Sequence, residues 1–125
     1  MANRYWVGGT DNWDGTAGSK WSATSGGTGG ASVPTSSDDV FFDANSGNYT
    51  ITVTGAGTAN FNNLNCTGFT GTLVNNSGSF SGNSYGNITL GSGMTFTGGF
   101  YIRGNCTLTT NGVSMDSHFE CQQHL

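Results

Sequence analysis

Tyr49-Thr50-Ile51-Thr52-Val53-Thr54 is the stretch that decides the fold class. Alternate residues point to opposite sides of an extended chain, so Tyr49, Ile51 and Val53 share one face and the threonines the other. Working outward, similar short runs occur at Val40-Phe41-Phe42, Phe61 to Cys66, Thr72 to Val74, Asn87 to Leu90, Met94 to Phe96, Phe100 to Ile102 and Thr107 to Thr109. Gly, Asn and Ser separate them, which is turn chemistry. No apolar stripe of helical period is present, and Leu, Ala, Glu and Lys are scarce. The chain therefore reads as all-β.

The runs span only three to six residues. Strands this brief, divided by Gly and Asn, predict a short, irregular right-handed β-solenoid, in which each coil turns sharply between brief strands. A β-sandwich or jelly roll is the alternative. Asn63-Leu64-Asn65-Cys66 matches Asn87-Ile88-Thr89-Leu90 at a spacing of 24, close to one three-sided coil. Thr72-Leu73-Val74-Asn75-Asn76 also resembles Thr107-Leu108-Thr109-Thr110-Asn111, but at a spacing of 35. The two spacings disagree, so irregular coils are expected rather than a strict period. Outward Thr faces and Asn at the turns are expected with them, since Asn tolerates the left-handed conformation.

Composition narrows the class. Residues 1–125 fit one domain. Only 8% of residues are charged, while aromatics reach 12% and glycines number 22. The evenly spread rings argue against disorder and for a narrow core. Residues 1–38 hold all three tryptophans, the Gly-rich run from Ser25 to Gly30 and the only proline, Pro34. They read as a loop-rich cap over the first coil, with coils over 39–115 and a distinct tail over 116–125. Arg4, Lys20 and Arg103 are the only basic side chains. Three separate cations cannot neutralise a phosphate backbone, so nucleic acid is not expected as a partner. No apolar run of membrane-spanning length occurs, so membrane insertion is not expected. The N-terminal text lacks an apolar secretory core, which fits assembly in a host cytoplasm.

An ordered series runs through Tyr5-Trp6-Val7-Gly8-Gly9-Thr10, Trp13-Asp14-Gly15, Lys20-Trp21-Ser22, Ser32-Val33-Pro34, Asp38-Asp39-Val40-Phe41-Phe42-Asp43 and Tyr49 to Val53. It resembles the opening segment of β-helix-containing phage tail or virion structural proteins and bacterial β-helix surface proteins. The resemblance covers roughly residues 4 to 55; residues 56 to 115 match only in style. It implies a non-enzymatic virion structural protein, in a tail, fibre or head-decoration role. The implied partners are other virion proteins or further copies of the chain, as in a trimer, and the implied location is the virion. A carbohydrate-binding or adhesin module at a bacterial cell surface is the second expectation, with a surface polysaccharide as partner.

Candidate sites follow from residue chemistry. Asp38, Asp39 and Asp43 are a calcium candidate, because hard oxygen ligands suit that ion; the plainer reading is a turn before a strand. Asp11 and Asp14 flank Trp13 and raise an acid–base pair, against solvated turn residues. His118, Cys121 and His124 raise a nucleophile or metal site, against an unanchored tail. Trp6, Trp13, Trp21, Tyr49, Tyr85 and Tyr101 are candidates for a ligand or assembly surface, since rings can cover the apolar faces of sugars; the alternative is core packing. Cys66 and Cys106 read as small buried strand residues. No cofactor and no catalytic group is expected: no Asp or Glu occurs from residue 44 to residue 115, and no nucleophile elbow or phosphate-binding loop is written.

Overall fold

The computed structural model describes residues 2–16, 18–54, 59–75, 82–98, 101–102, 106–113 and 120–121. The strands are β1 (Asn3–Trp6), β2 (Asp11–Trp13), β3 (Trp21–Ser22), β4 (Asp39–Phe41), β5 (Thr50–Val53), β6 (Ala59–Phe61), β7 (Leu64–Asn65), β8 (Thr72–Asn75), β9 (Gly82–Ser84), β10 (Ile88–Thr89), β11 (Thr95–Gly98), β12 (Tyr101–Ile102), β13 (Leu108–Thr109) and β14 (Glu120–Cys121). A single 3-10 turn, Ala44–Ser46, stands between β4 and β5, and no α-helix occurs among the described residues. The protein is all-β.

The strands form three sheets. Their orders are β13-β10-β7-β4-β1-β3, β11-β8-β5-β2 and β14-β12-β9-β6. Every pairing is parallel except β1 with β3. From β4 to β12 the chain visits the three sheets in rotation, so a strand pairs with the strand three places earlier. Among the described residues no hairpin joins strands adjacent in sequence in this part of the chain, because parallel neighbours need a long crossover.

Register follows the alternation of side chains. In the first sheet Val40, Leu64, Ile88 and Leu108 align. In the second, Ile51, Leu73 and Phe96 align. Val40, Leu64, Ile88, Ile51, Leu73 and Phe96 are all buried. Each fully buried aliphatic or Phe side chain contributes about 1.5–3 kcal/mol relative to exposure. A one-residue slip would exchange this column for threonines, so burial fixes the register. The outward column beside it is Thr50, Thr72 and Thr95.

The matched segments 24 apart are true neighbours: Leu64 pairs with Ile88, and Asn65 with Thr89. The match at 35 is not a neighbour relation. Thr72 pairs with Thr50 and Thr95, and Leu108 with Ile88. Leu73 and Leu108 each sit in a strand, so the shared text marks strand residues, whichever strand lies beside them.

Asn at the corners has two uses. Asn111 takes the left-handed conformation, with φ 49°, and its Nδ2 donates to Leu90 O at 2.7 Å. Asn63 and Asn87 use their side chains instead. Asn87 N–H donates to Asn63 Oδ1 at 2.7 Å, and Thr107 N–H donates to Asn87 Oδ1 at 2.9 Å. One step earlier, Asn63 N–H donates to Asp39 Oδ1 at 3.2 Å. A side-chain ladder thus satisfies amides that would otherwise lose a partner where each strand begins, each bond contributing about 0.5–1.5 kcal/mol.

Within residues 1–38 three short strands stand among loops. β1 and β2 extend the first and second sheets in parallel with β4 and β5. β3 then runs antiparallel along the outer edge of β1, pairing Trp6 with Trp21. An edge strand left bare is a template for unwanted pairing, and β3 covers that of β1. Trp6, Trp13 and Trp21 are each 0% exposed and pack with one another and with Phe42; Trp13 also meets Phe61, and Phe69 packs on Phe42. Trp6 Nε1–H donates to Gly9 O at 2.9 Å. Tyr49 departs from expectation. It precedes β5, is 49% exposed, and lies against Gly47 rather than on the inward face of Ile51 and Val53.

Candidate functional site: the outer face of the first sheet

The sequence candidates separate once placed in the fold. Trp6, Trp13 and Trp21 are buried, which follows the core-packing alternative and not the ligand-surface one. Their rings fill the end of the core, where indole has more apolar area to bury than any other side chain. Tyr85 is 41% exposed, directly after β9. Tyr101 lies in β12, and its ring falls outside the described residues. His118 and His124 also lie outside them, while Cys121 is known only as a backbone position in β14. Cys66 is a buried thiol, and burial pushes its pKa up. Cys106 is half-buried.

Asp38, Asp39 and Asp43 each serve a separate local structure. Asp38 is buried and accepts from Ala2 N–H at 3.0 Å, Thr35 N–H at 2.9 Å and Thr35 Oγ1 at 3.2 Å. Asp39 Oδ1 accepts from Asn62 Nδ2 and Asn63 N–H. Asp43 caps the 3-10 turn: Oδ1 accepts from Asn45 N–H, and Ser46 Oγ accepts from Asp43 N–H. Its Oδ2 accepts from Ser25 Oγ at 2.7 Å. Among the described residues, no three His, Cys, Asp or Glu side chains converge as metal ligands. The three carboxylates therefore follow the turn-and-strand reading instead of the calcium one.

Asp11 and Asp14 face Lys20. The Lys20 ammonium lies 3.0 Å from Asp14 Oδ1 and 3.9 Å from Asp11 Oδ1, and donates to Asn12 O at 2.6 Å. The hydroxyl and backbone N–H of Thr16, with Lys20, hold the Asp14 pKa down to about 2. An acid that strong is ionised at neutral pH and cannot serve as a general acid. Burial pushes Asp38 up, but hydrogen bonds from Thr35 N–H, Ala2 N–H and the Thr35 hydroxyl, with the charge of Arg4, leave it below the ordinary carboxylate value.

These shifts set a pH response. A carboxyl depressed in the folded chain stabilises it above the unfolded value, about 3.9. That contribution is lost as pH falls through the folded value. The unfolding free energy is expected to fall between about pH 4 and pH 2, as urea titrations followed by circular dichroism would show. Asp14→Asn should flatten part of that fall, while equal steepness in the variant would remove Asp14 from the account.

Among the described residues, the outer face of the first sheet gathers binding chemistry from distant parts of the chain. Two outward columns run along it. One is Asn3, Asp39, Asn63 and Asn87; the other is Tyr5, Phe41, Asn65, Thr89 and Thr109. Tyr5 stacks on Phe41 with centroids 4.6 Å apart and planes at 16°. Parallel strands lie about 4.8 Å apart, so the two rings pile along the direction of the ladder. Beyond Phe41 the column drops to Asn65 and Thr89. The shorter side chains leave a groove of about 300 Å³ lined by Asp39, Phe41, Asn63, Asn65, Asn87 and Thr89. Sequence reasoning singled out only Asp39 among these. The Asn ladder was the available signal, through the match 24 residues apart.

No protein-family model matches the chain, and neither curated proteins nor solved structures give a match.

Proposed function

We propose that the protein is a non-enzymatic structural module built as a capped β-solenoid, serving as a virion component of a phage in a tail, fibre or head-decoration role. The observation that carries the architecture is the repeated parallel register. Val40, Leu64 and Ile88 recur at 24, and Ile51, Leu73 and Phe96 at 22 and 23. One pass through all three sheets per repeat makes one coil, taken as right-handed, the hand parallel crossovers adopt. A sandwich built from antiparallel hairpins has no such register. The buried tryptophans and β3 close one end, which a solenoid requires for solubility. Residues 1–38 are then the cap and 39–115 the coils.

The role follows from what such a body can do. Every coil is tied to its neighbours by strand pairing and by the Asn ladder, which makes a stiff rod with flat Thr and Asn faces. A surface with few charges offers little steering of ions or nucleic acid. Rigidity and repeated presentation suit assembly with further copies or with other virion proteins. Light scattering on the purified chain and mass spectrometry of purified particles from its source test this. A multimer found in particles supports the virion role. A monomer absent from particles overturns it and favours an adhesin of a cell surface.

A further inference from the structure

We infer that the groove on the outer face of the first sheet, beside Phe41, is a binding site for a neutral saccharide. The inference rests on the register of the first sheet and not on the virion role, so the two can fail separately.

The aromatic part comes from the step in the column. Tyr5 covers one face of Phe41. The opposite face points along the ladder toward Asn65, and both residues line the groove. A ring held by a stacked neighbour and bordering a groove can take the apolar C–H face of a pyranose at little cost in reorganisation.

The polar part comes from the ladder. Asn63 Oδ1 accepts from Asn87 N–H, Asn87 Oδ1 from Thr107 N–H, and Asn65 Oδ1 from Thr67 N–H and Thr67 Oγ1 at 3.0 and 2.7 Å. A backbone N–H must meet an oxygen, so these bonds fix which end of each carboxamide is which. The Nδ2 groups of Asn63, Asn65 and Asn87 then remain as oriented donors with no acceptor among the described residues. Asp39 Oδ1 is engaged by Asn62 and Asn63, which leaves Oδ2 as an acceptor.

Oriented amide donors, one carboxylate oxygen, the Thr89 hydroxyl and a ring face match a polyol. Sugar hydroxyls accept from the amides and donate to Asp39, while the sugar ring lies on Phe41. No Lys or Arg lines the groove, and Asp39 repels anions. Acidic glycans and phosphates are therefore the wrong class. The volume lies at the small end of ligand clefts, about 300–1,000 Å³, which suits one or two sugar rings.

The test is a glycan array with the full chain. It would carry neutral oligosaccharides based on glucose, galactose, mannose and N-acetylglucosamine, with heparin as the acidic control, followed by titration of the best binder. A neutral glycan is expected to bind. Phe41→Ala should weaken it about tenfold or more, and Thr89→Trp, which fills the groove, should do the same. Tyr85→Ala, on a different sheet, should leave it unchanged. Circular dichroism checks that each variant is folded; if Phe41→Ala is not, Thr89→Trp decides. Binding of no neutral glycan, preference for heparin, or binding lost in Tyr85→Ala and kept in Thr89→Trp would overturn the inference.

Discussion

Trp13→Ala is expected to lower the unfolding free energy by about 3–5 kcal/mol, the usual cost of removing a buried Trp or Phe side chain. Trp13 is 0% exposed. Its ring centroid lies 5.3 Å from that of Trp21 and 5.8 Å from those of Phe42 and Phe61. Trp13 also aligns with Val53, so the loss falls where β2 meets β5. A domain's whole stability is about 5–15 kcal/mol, and a deficit of this size brings the protein close to unfolding at ambient temperature. Equilibrium urea unfolding followed by far-ultraviolet circular dichroism measures it without relying on the removed fluorophore. Tyr85→Ala is the control, expected within about 0.5 kcal/mol of the parent. Near-equal effects of the two substitutions would mean that the tryptophans do not cover the core.

The second large effect is expected at Gly98, the last residue of β11. Its φ is +93°, and a Cβ there would overlap Asn75 O, the carbonyl of its partner in β8. Two costs combine in Gly98→Ala. The backbone conformation is one that L residues rarely adopt, at about 1–2 kcal/mol. The methyl group also overlaps a backbone atom that cannot turn aside, so β11 must leave β8; overpacking of this kind costs about 1–3 kcal/mol or more. The expected loss is about 2–5 kcal/mol by urea unfolding. Gly9→Ala separates the two terms, since Gly9 has φ +67° and nothing within 4 Å of the added carbon. It should cost about 1–2 kcal/mol. A Gly98→Ala variant no weaker than Gly9→Ala would deny the close approach of β11 to β8.

Much of this fold was legible in short stretches of text. The alternation from Tyr49 to Thr54 put Tyr49, Ile51 and Val53 on one face; Ile51 and Val53 are buried, while Tyr49 is exposed. The match at 24 put Leu64 beside Ile88. What local text does not carry is the neighbour. β1 and β2 lie among Gly, Asn and Asp and read as loop, yet they are strands because β4 and β5 offer them free edges. The tryptophans were open to two readings, ligand surface or core packing, for the same reason. Their burial is set by spatial neighbours from later in the chain, Phe42 for all three and Phe61 for Trp13. The groove was the least legible. Tyr5, Phe41, Asn65 and Thr89 form one column only once the register is known, and its depth depends on where that column changes from rings to short side chains.

The measurement that bears most directly on the central claim is a nuclear Overhauser map of the labelled protein, read for contacts between backbone protons of different strands. A stack of parallel strands predicts contacts linking Val40 with Leu64, Leu64 with Ile88, and Thr50 with Thr72 with Thr95, all in the slanted parallel pattern. Contacts instead between strands consecutive in sequence, such as β7 with β8, in the antiparallel pattern would contradict the account and return the chain to the sandwich class.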